Sequence, residues 1–207
     1  MNTNDSFQKL AGNSLVVAGV VITLFWLTTL PFDSFAGAHV SQHPLFIPGQ
    51  ALHALGAVLS ALGVIGIYLL ISESSGRLGY IGMVLSFVGA LAFLSDAMIA
   101  LITFPVMAEH APELIDSSGP MFTGVVLSFF IAFSVIQMFG YSILGLAAFH
   151  SGLLPKVACA FFIIGGIINN LPPIPGLHMV LVLGGILWSA GAIGIGLNLD
   201  KKAVELS

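Results

Sequence analysis

Long apolar runs with almost no charge constrain this chain more than any other feature. The run 78–108, LGYIGMVLSFVGALAFLSDAMIALITFPVMA, carries a single charged side chain, Asp96. A helix needs about 20 apolar residues to cross the roughly 30 Å hydrocarbon core of a bilayer. Only 7% of the residues are charged, against about a quarter in soluble domains. The sequence therefore predicts an integral membrane protein, with the lipid bilayer as its surroundings.

Six segments have the length and lack of charge expected of a membrane-spanning helix. Short turns rich in Pro, Gly and Ser separate them. We therefore expect an all-α fold, a polytopic transmembrane bundle of six helices forming a single domain over 1–207. The predicted spans are 11–30, 46–71, 78–107, 120–149, 156–172 and 177–198. Pro105 is expected to kink or end the third span.

The few basic residues predict how the bundle is oriented. Lys9 precedes the first span, Arg77 lies between the second and third, and Lys156 lies between the fourth and fifth. Lys201 and Lys202 follow the sixth span. Cytoplasmic loops of membrane proteins carry an excess of Lys and Arg. This alternation therefore predicts that both termini are cytoplasmic and that the acidic loop 109–116 lies outside.

Asp96 is the strongest pointer to a site, because a carboxylate within a span must face other helices or water. Counting along the helices at about 1.5 Å per residue from the cytoplasmic side places Asp96 and His53 at a shared depth, about 27 and 28 Å. We expect these two side chains to form a contact, with Gln137 or Ser134 completing their hydrogen bonds. Such a pair can move protons, bind a cation, lock two helices together or lie solvated at the interface, and the sequence leaves these roles open.

Asn169 and Asn170 end the fifth predicted span, just before Pro172. Amide side chains at this position commonly help a helix to terminate. We expect them to cap the helix and turn the chain. The alternative is that they expose their amide groups to a cavity.

Metal, cofactor and nucleic-acid chemistry find little support in the sequence. Imidazole suits zinc or copper, but the outer histidines show no HExxH or comparable ligand spacing: His39, His43, His110 and His178. We expect these residues to be interfacial, and we predict neither a metal nor another cofactor. The single Cys159 excludes disulfides within the chain. The net charge of -4 with no basic stripe excludes a nucleic acid as partner.

Two of the predicted spans carry stripes of small residues. The second has Gly56, Ser60, Gly63 and Gly66, and the sixth has Gly184, Ser189, Gly191 and Gly194. Small residues let helix backbones approach closely in a membrane, so we expect packing faces. A substrate pathway along the stripes is the alternative. The same faces offer contacts for a homo-oligomer or for a partner membrane subunit.

Short motifs of Gly, Pro and apolar residues recur along most of the chain. They are HALG at 53–56, GVIGIY at 63–68, GRLG at 76–79, FP at 104–105, APEL at 111–114 and SGLLPK at 151–156. In these motifs the chain resembles uncharacterised prokaryotic six-helix integral membrane proteins, including families known as domains of unknown function. The resemblance implies this architecture and a location in the prokaryotic cytoplasmic membrane, and it assigns no catalytic residue.

The motif search is empty for phosphate loops, nucleophile elbows and dinucleotide fingerprints. The features together favour a non-enzymatic membrane protein of unassigned molecular activity. A small carrier or sensor that uses Asp96 and His53 as a buried titratable pair is one hypothesis for that activity. Two alternatives stay open. One is a membrane enzyme acting on a lipid or isoprenoid, and the other is an accessory subunit of a larger membrane complex.

Overall fold

A computed structural model describes residues 3–32, 36–172 and 176–206, and within these ranges the regular structure is entirely helical. The helices are α1 (Thr3–Thr28), α2 (Ala38–Ser41), α3 (Phe46–His110), α4 (Gly124–Ser151), α5 (Lys156–Asn169) and α6 (His178–Leu206). Two short 3₁₀ turns, Pro112–Leu114 and Pro120–Phe122, connect α3 to α4. The all-α prediction is confirmed for the described residues.

The long helix α3 contains two of the predicted spans. Its backbone leaves helical geometry at Gly76, with φ 53° and ψ −141°, a conformation that is essentially restricted to glycine. The chain reverses direction at Gly76. Ring contacts between residues before and after it show the reversal: Tyr68 with Tyr80 at 5.9 Å and Phe46 with Phe104 at 6.4 Å between centroids. We call 46–75 the first arm of α3 and 77–110 its second arm. The predicted spans 46–71 and 78–107 are these two arms, separated by a single non-helical residue.

Two of the predicted boundaries within 78–149 need correction. α3 continues through Pro105 to His110, because a transmembrane helix tolerates the one backbone hydrogen bond that proline removes. α4 begins at Gly124 rather than at Pro120. The reason is local: Pro120 opens a 3₁₀ turn, and Gly124 has a positive φ of 57° that separates the turn from the helix.

α5 is shorter than its predicted span of 156–172, because the helix ends at Asn169. Asn170 and Leu171 close 3₁₀-type bonds, donating from their backbone N–H groups to Ile167 and Ile168 at 3.3 and 3.2 Å. Asn170 Nδ2 also donates to the Gly166 carbonyl at 2.7 Å. The expected capping role is thus confirmed for Asn170. With 14 residues, α5 is about 21 Å long.

Among the described residues, four helices are long and apolar enough to cross a membrane. They are Ser6–Thr28, Phe46–His110, Pro120–Ser151 and His178–Leu199. α5 is a shorter apolar helix. Helix length and composition therefore identify the chain as a membrane protein.

The helices pack into a closed ring. α1 lies between the first arm of α3 and α6, α6 packs on α5, α5 on α4, and α4 on the second arm of α3. Glycines allow the closest approaches: a Cβ added at Gly165 of α5 would lie 2.5 Å from Cα of Trp188 on α6, and one at Gly82 would lie 2.8 Å from Cα of Leu144 on α4. Close packing of this kind holds helices together where lipid provides no hydrophobic drive.

The glycine stripes are confirmed as packing faces within the chain. A Cβ at Gly63 of the first arm would meet the Leu15 side chain of α1, with Cδ1 at 2.5 Å. A Cβ at Gly191 of α6 would lie 2.7 Å from Cα of Phe162 on α5. A partner that used these faces would therefore have to displace α1 or α5.

Candidate functional site

A small cavity that is partly open lies among the helices, and all six packed segments contribute to its lining. Its volume is about 30 Å³, which accommodates about two water molecules. The lining residues are Ile22 of α1; His53, Ala57 and Ser60 of the first arm; Phe93 of the second arm; Gln137 and Tyr141 of α4; Asn169 of α5; and Trp188 of α6. A polar lining at membrane depth is costly and marks this cavity as the candidate site.

A buried hydrogen-bonded group forms one side of the cavity. Gln137 Nε2 donates to the Tyr141 hydroxyl at 2.7 Å, one helical turn further along α4. The Ser60 hydroxyl interacts with the same Tyr141 oxygen and also donates to the Ala57 carbonyl at 2.9 Å. Because these side chains are buried, their mutual bonds avoid the cost of unpaired polar groups. They also fix the orientation of the Tyr141 ring.

Asn169 and Trp188 present polar atoms that have no protein partner among the described residues. These atoms are the Trp188 Nε1–H donor and the Asn169 Oδ1 acceptor, and both are buried. Trp188 is only 3% exposed, and its ring packs against Tyr141 at 5.4 Å between centroids. A buried polar atom left unpaired costs about 1–3 kcal/mol. Both atoms are therefore unpaired hydrogen-bonding groups on residues that line the cavity.

His53 lines the cavity between two aromatic rings. It stacks on Phe25 of α1 with centroids 4.3 Å apart, and it meets Phe93 of the second arm edge-on at 5.7 Å. Within the described ranges, its imidazole forms no hydrogen bond to protein. His53 and Gln137 are the two predicted site residues that the fold brings to one cavity.

Asp96 and His53 do not form the expected contact among the described residues. Phe93 occupies the position facing His53, and Asp96, three residues later, is offset by about 60° around the helix and about 4.5 Å along it. The partly exposed Asp96 carboxylate forms no hydrogen bond or ion pair with any described residue and does not line the cavity. Ser134 is also partly buried and lies outside the lining.

The four histidines considered as metal ligands lie at three places along the chain: His39 on α2 with His43 two residues after this helix, His110 at the end of α3 and His178 at the start of α6. His178 is buried, and its Nε2 bonds the Thr29 carbonyl at 3.0 Å, tying α6 to the end of α1. His110 is exposed and lies 4.0 Å from the Glu109 carboxylate. In the part of the chain that the structure describes, no three His, Cys, Asp or Glu side chains group into a metal site.

Sequence reasoning missed Tyr141 and Trp188 as site residues, because each looks like an ordinary core aromatic in an apolar helix. One signal pointed to Tyr141: Gln137 lies one turn before it, where a buried amide needs a partner. Asn169 lines the cavity, as the alternative interpretation of the two asparagines predicts. The adjacent amides of Asn169 and Asn170 could have indicated this, because one amide is enough to cap the helix.

No family model, curated protein or solved structure matches this chain. The geometry and chemistry of the cavity are therefore the basis for assigning a function.

Proposed function

We propose that this chain is an integral protein of the prokaryotic cytoplasmic membrane that works as a small carrier or sensor rather than as an enzyme. The observation that supports this proposal is the convergence of polar side chains from the packed helices on one partly open cavity. Polar groups inside a membrane protein typically mark a ligand or ion pathway.

The proposed topology has six passes with both termini in the cytoplasm. Gly82 contacts Leu144, so Arg77, five residues before Gly82, lies near Phe149, five residues after Leu144. The Lys156 ammonium lies 5.4 Å from the centroid of the Phe149 ring. The basic residues 77 and 156 therefore share one end of the bundle, as the positive-inside rule requires.

Thiol labelling tests this topology. With Cys159 replaced by Ser, cysteines introduced as Arg77→Cys and Glu113→Cys are treated in intact cells with a membrane-impermeant maleimide. We expect labelling of the Glu113→Cys variant only. Labelling at position 77, or equal labelling at both, would contradict the proposed orientation.

In this proposal, Asp96 and His53 supply the titratable groups of the carrier or sensor. His53 lines the cavity, and Asp96 lies three residues after Phe93, whose ring contacts His53. Ionisable groups at such positions serve proton relays. Protonation at Asp96 is then expected to accompany transport or signalling.

Proteoliposomes containing a pH-sensitive dye test this role under an imposed membrane potential. We expect Asp96→Asn to abolish proton flux and the pH response of tryptophan fluorescence while the folded yield stays nearly unchanged. The control is Asp116→Asn, at an exposed loop carboxylate, and it should behave as wild type. A large loss of folded protein in Asp96→Asn, with no change in flux or pH response, would show a structural role instead.

An accessory subunit is the second candidate, and the exposure of α4 favours it. In the 18-residue apolar stretch of Pro120–Ser151, which contains α4, only 6% is buried within the chain. The corresponding stretches of the other three long helices are at least 50% buried. Phe129 and Phe133 stack on this surface, and Phe129 is 59% exposed. Purification in mild detergent should then yield a stoichiometric membrane partner that is lost in the Phe129→Ala, Phe133→Ala double variant. Recovery of the chain alone from native membranes would argue against this candidate.

A further inference from the structure

We propose that the cavity binds a small neutral molecule that both donates and accepts hydrogen bonds, held between Trp188 Nε1 and Asn169 Oδ1. This inference rests on the proposed function, because it names the ligand class of the same site. It uses residues that the Asp96 and His53 hypothesis does not involve. Its test is therefore separate from the flux measurement.

The two unpaired atoms define the ligand's hydrogen bonds. The indole Nε1–H is a donor only, so it needs an acceptor on the ligand, whereas the Asn169 oxygen needs a donor. A molecule that carries both groups satisfies the two atoms at once. It also satisfies the site if the Asn169 amide is rotated by 180°, which exchanges its oxygen and nitrogen.

The lining argues for a neutral ligand. Among its nine residues, none is Asp, Glu, Lys or Arg, and the one imidazole, His53, lies between aromatic rings. An ion buried without an opposite charge pays a large desolvation cost. Asp96, the nearest acid along the second arm, is outside the lining. Neither a cation nor an anion therefore finds a partner of opposite charge in this lining.

The volume limits the ligand's size. About 30 Å³ admits about two water molecules, or one organic molecule of about three heavy atoms. Water, a one-carbon alcohol and formamide meet this limit. Amino acids, sugars and lipid headgroups are larger than the part of the cavity that this volume measures.

The early end of α5 explains why such a site exists within the bundle. Asn169 is the last residue of α5, and it contacts Gly184 of α6, six residues after the start of α6 at His178. α6 therefore extends about 9 Å beyond the end of α5. Helices that end inside a membrane bundle are tolerated where they line a cavity, and they often mark binding sites.

Formamide titration of a single-tryptophan protein tests the proposal. The chain has two tryptophans, so Trp26→Phe leaves Trp188 as the only indole, and its emission responds to hydrogen bonding at Nε1. Three variants are made in this background and reconstituted in nanodiscs. Ala57→Val fills the cavity, Asn169→Leu removes the acceptor, and Ala51→Val adds the same volume at an exposed position of the same arm.

We expect a saturable shift of Trp188 emission with formamide, and the same apparent Kd in the background protein and in Ala51→Val. The shift should vanish in Ala57→Val, and the Kd should rise at least tenfold in Asn169→Leu. Thermal unfolding of each variant establishes that it is folded. Ala57→Val and Asn169→Leu alter the site in different ways. If one of these variants does not fold, the other still tests the proposal.

A non-saturable change that is equal in all four proteins would overturn the proposal. Ammonium or formate binding as tightly as formamide would overturn the requirement for a neutral ligand. Saturable formamide binding together with a proton flux that ignores Asp96 would support this site and refute only the carrier role. Asp96-dependent flux without formamide binding would refute this site and leave the proposed function standing.

Discussion

Replacing Gly165 with Ala perturbs the closest contact between α5 and α6. The added Cβ would lie 2.5 Å from Trp188 Cα and 2.7 Å from the Leu187 carbonyl carbon, whereas ordinary contacts begin at 3.4 Å. α5 must therefore move by about 1 Å, because backbone atoms cannot rotate out of the way. Overpacking of this kind costs about 3 kcal/mol, and the better helix propensity of Ala returns about 1 kcal/mol. The expected net loss in free energy of unfolding is about 2 kcal/mol.

Gly145→Ala on α4 is the matched control. There the nearest atoms belong to side chains, with Ile163 Cγ1 at 2.5 Å and Phe162 Cδ1 at 3.4 Å. The gain in helix propensity is the same, and a side chain can change rotamer to make room. We expect the stability of this variant to stay within about 1 kcal/mol of wild type. The difference between the two variants isolates the backbone clash.

The assay is reversible unfolding in mixed micelles, in which SDS is titrated into a mild detergent. Circular dichroism follows the loss of helix, and fluorescence in the Trp26→Phe background follows the surroundings of Trp188. Gly165→Ala should unfold at a lower SDS fraction and show altered Trp188 emission before unfolding. Equal stability of the two variants, or a Gly165→Ala protein as stable as wild type, would refute the close-packed interface.

Three further variants test single interactions. Tyr141→Phe removes the acceptor of Gln137 Nε2 and should cost about 1–3 kcal/mol; in a double-mutant cycle with Gln137→Leu, the two losses should be less than additive, and full additivity would contradict the bond. His178→Phe removes the bond to the Thr29 carbonyl and should cost about 1 kcal/mol, with faster hydrogen exchange in the first turns of α6; unchanged exchange would count against this anchor. Gly76→Ala meets no atom within 4 Å but has φ 53°, so backbone strain alone should lower thermal stability by about 2 kcal/mol; a neutral substitution would show that the reversal does not need this conformation.

The number and approximate position of the apolar segments could be predicted from the sequence, because hydropathy and helix length are local properties. The sequence Ser74-Ser75-Gly76 indicated a turn at this position. It did not indicate that Gly76 alone would leave helical geometry. The end of α5 was misplaced by three residues, because 3₁₀ bonds of Asn170 and Leu171 replace the last helical turn.

The sequence by itself determined that this chain forms apolar helices of membrane length with few charges, since these properties need no knowledge of neighbours. Apart from the faces marked by the small-residue stripes, only the tertiary structure decided which side chains face the interior. A transmembrane helix is apolar on every side, so its sequence carries no amphipathic stripe to reveal its rotation about its own axis. That rotation follows from glycine contacts such as Gly165 on Trp188. It turns Phe93 toward His53 and leaves Asp96 beside the cavity that Tyr141, Asn169 and Trp188 line.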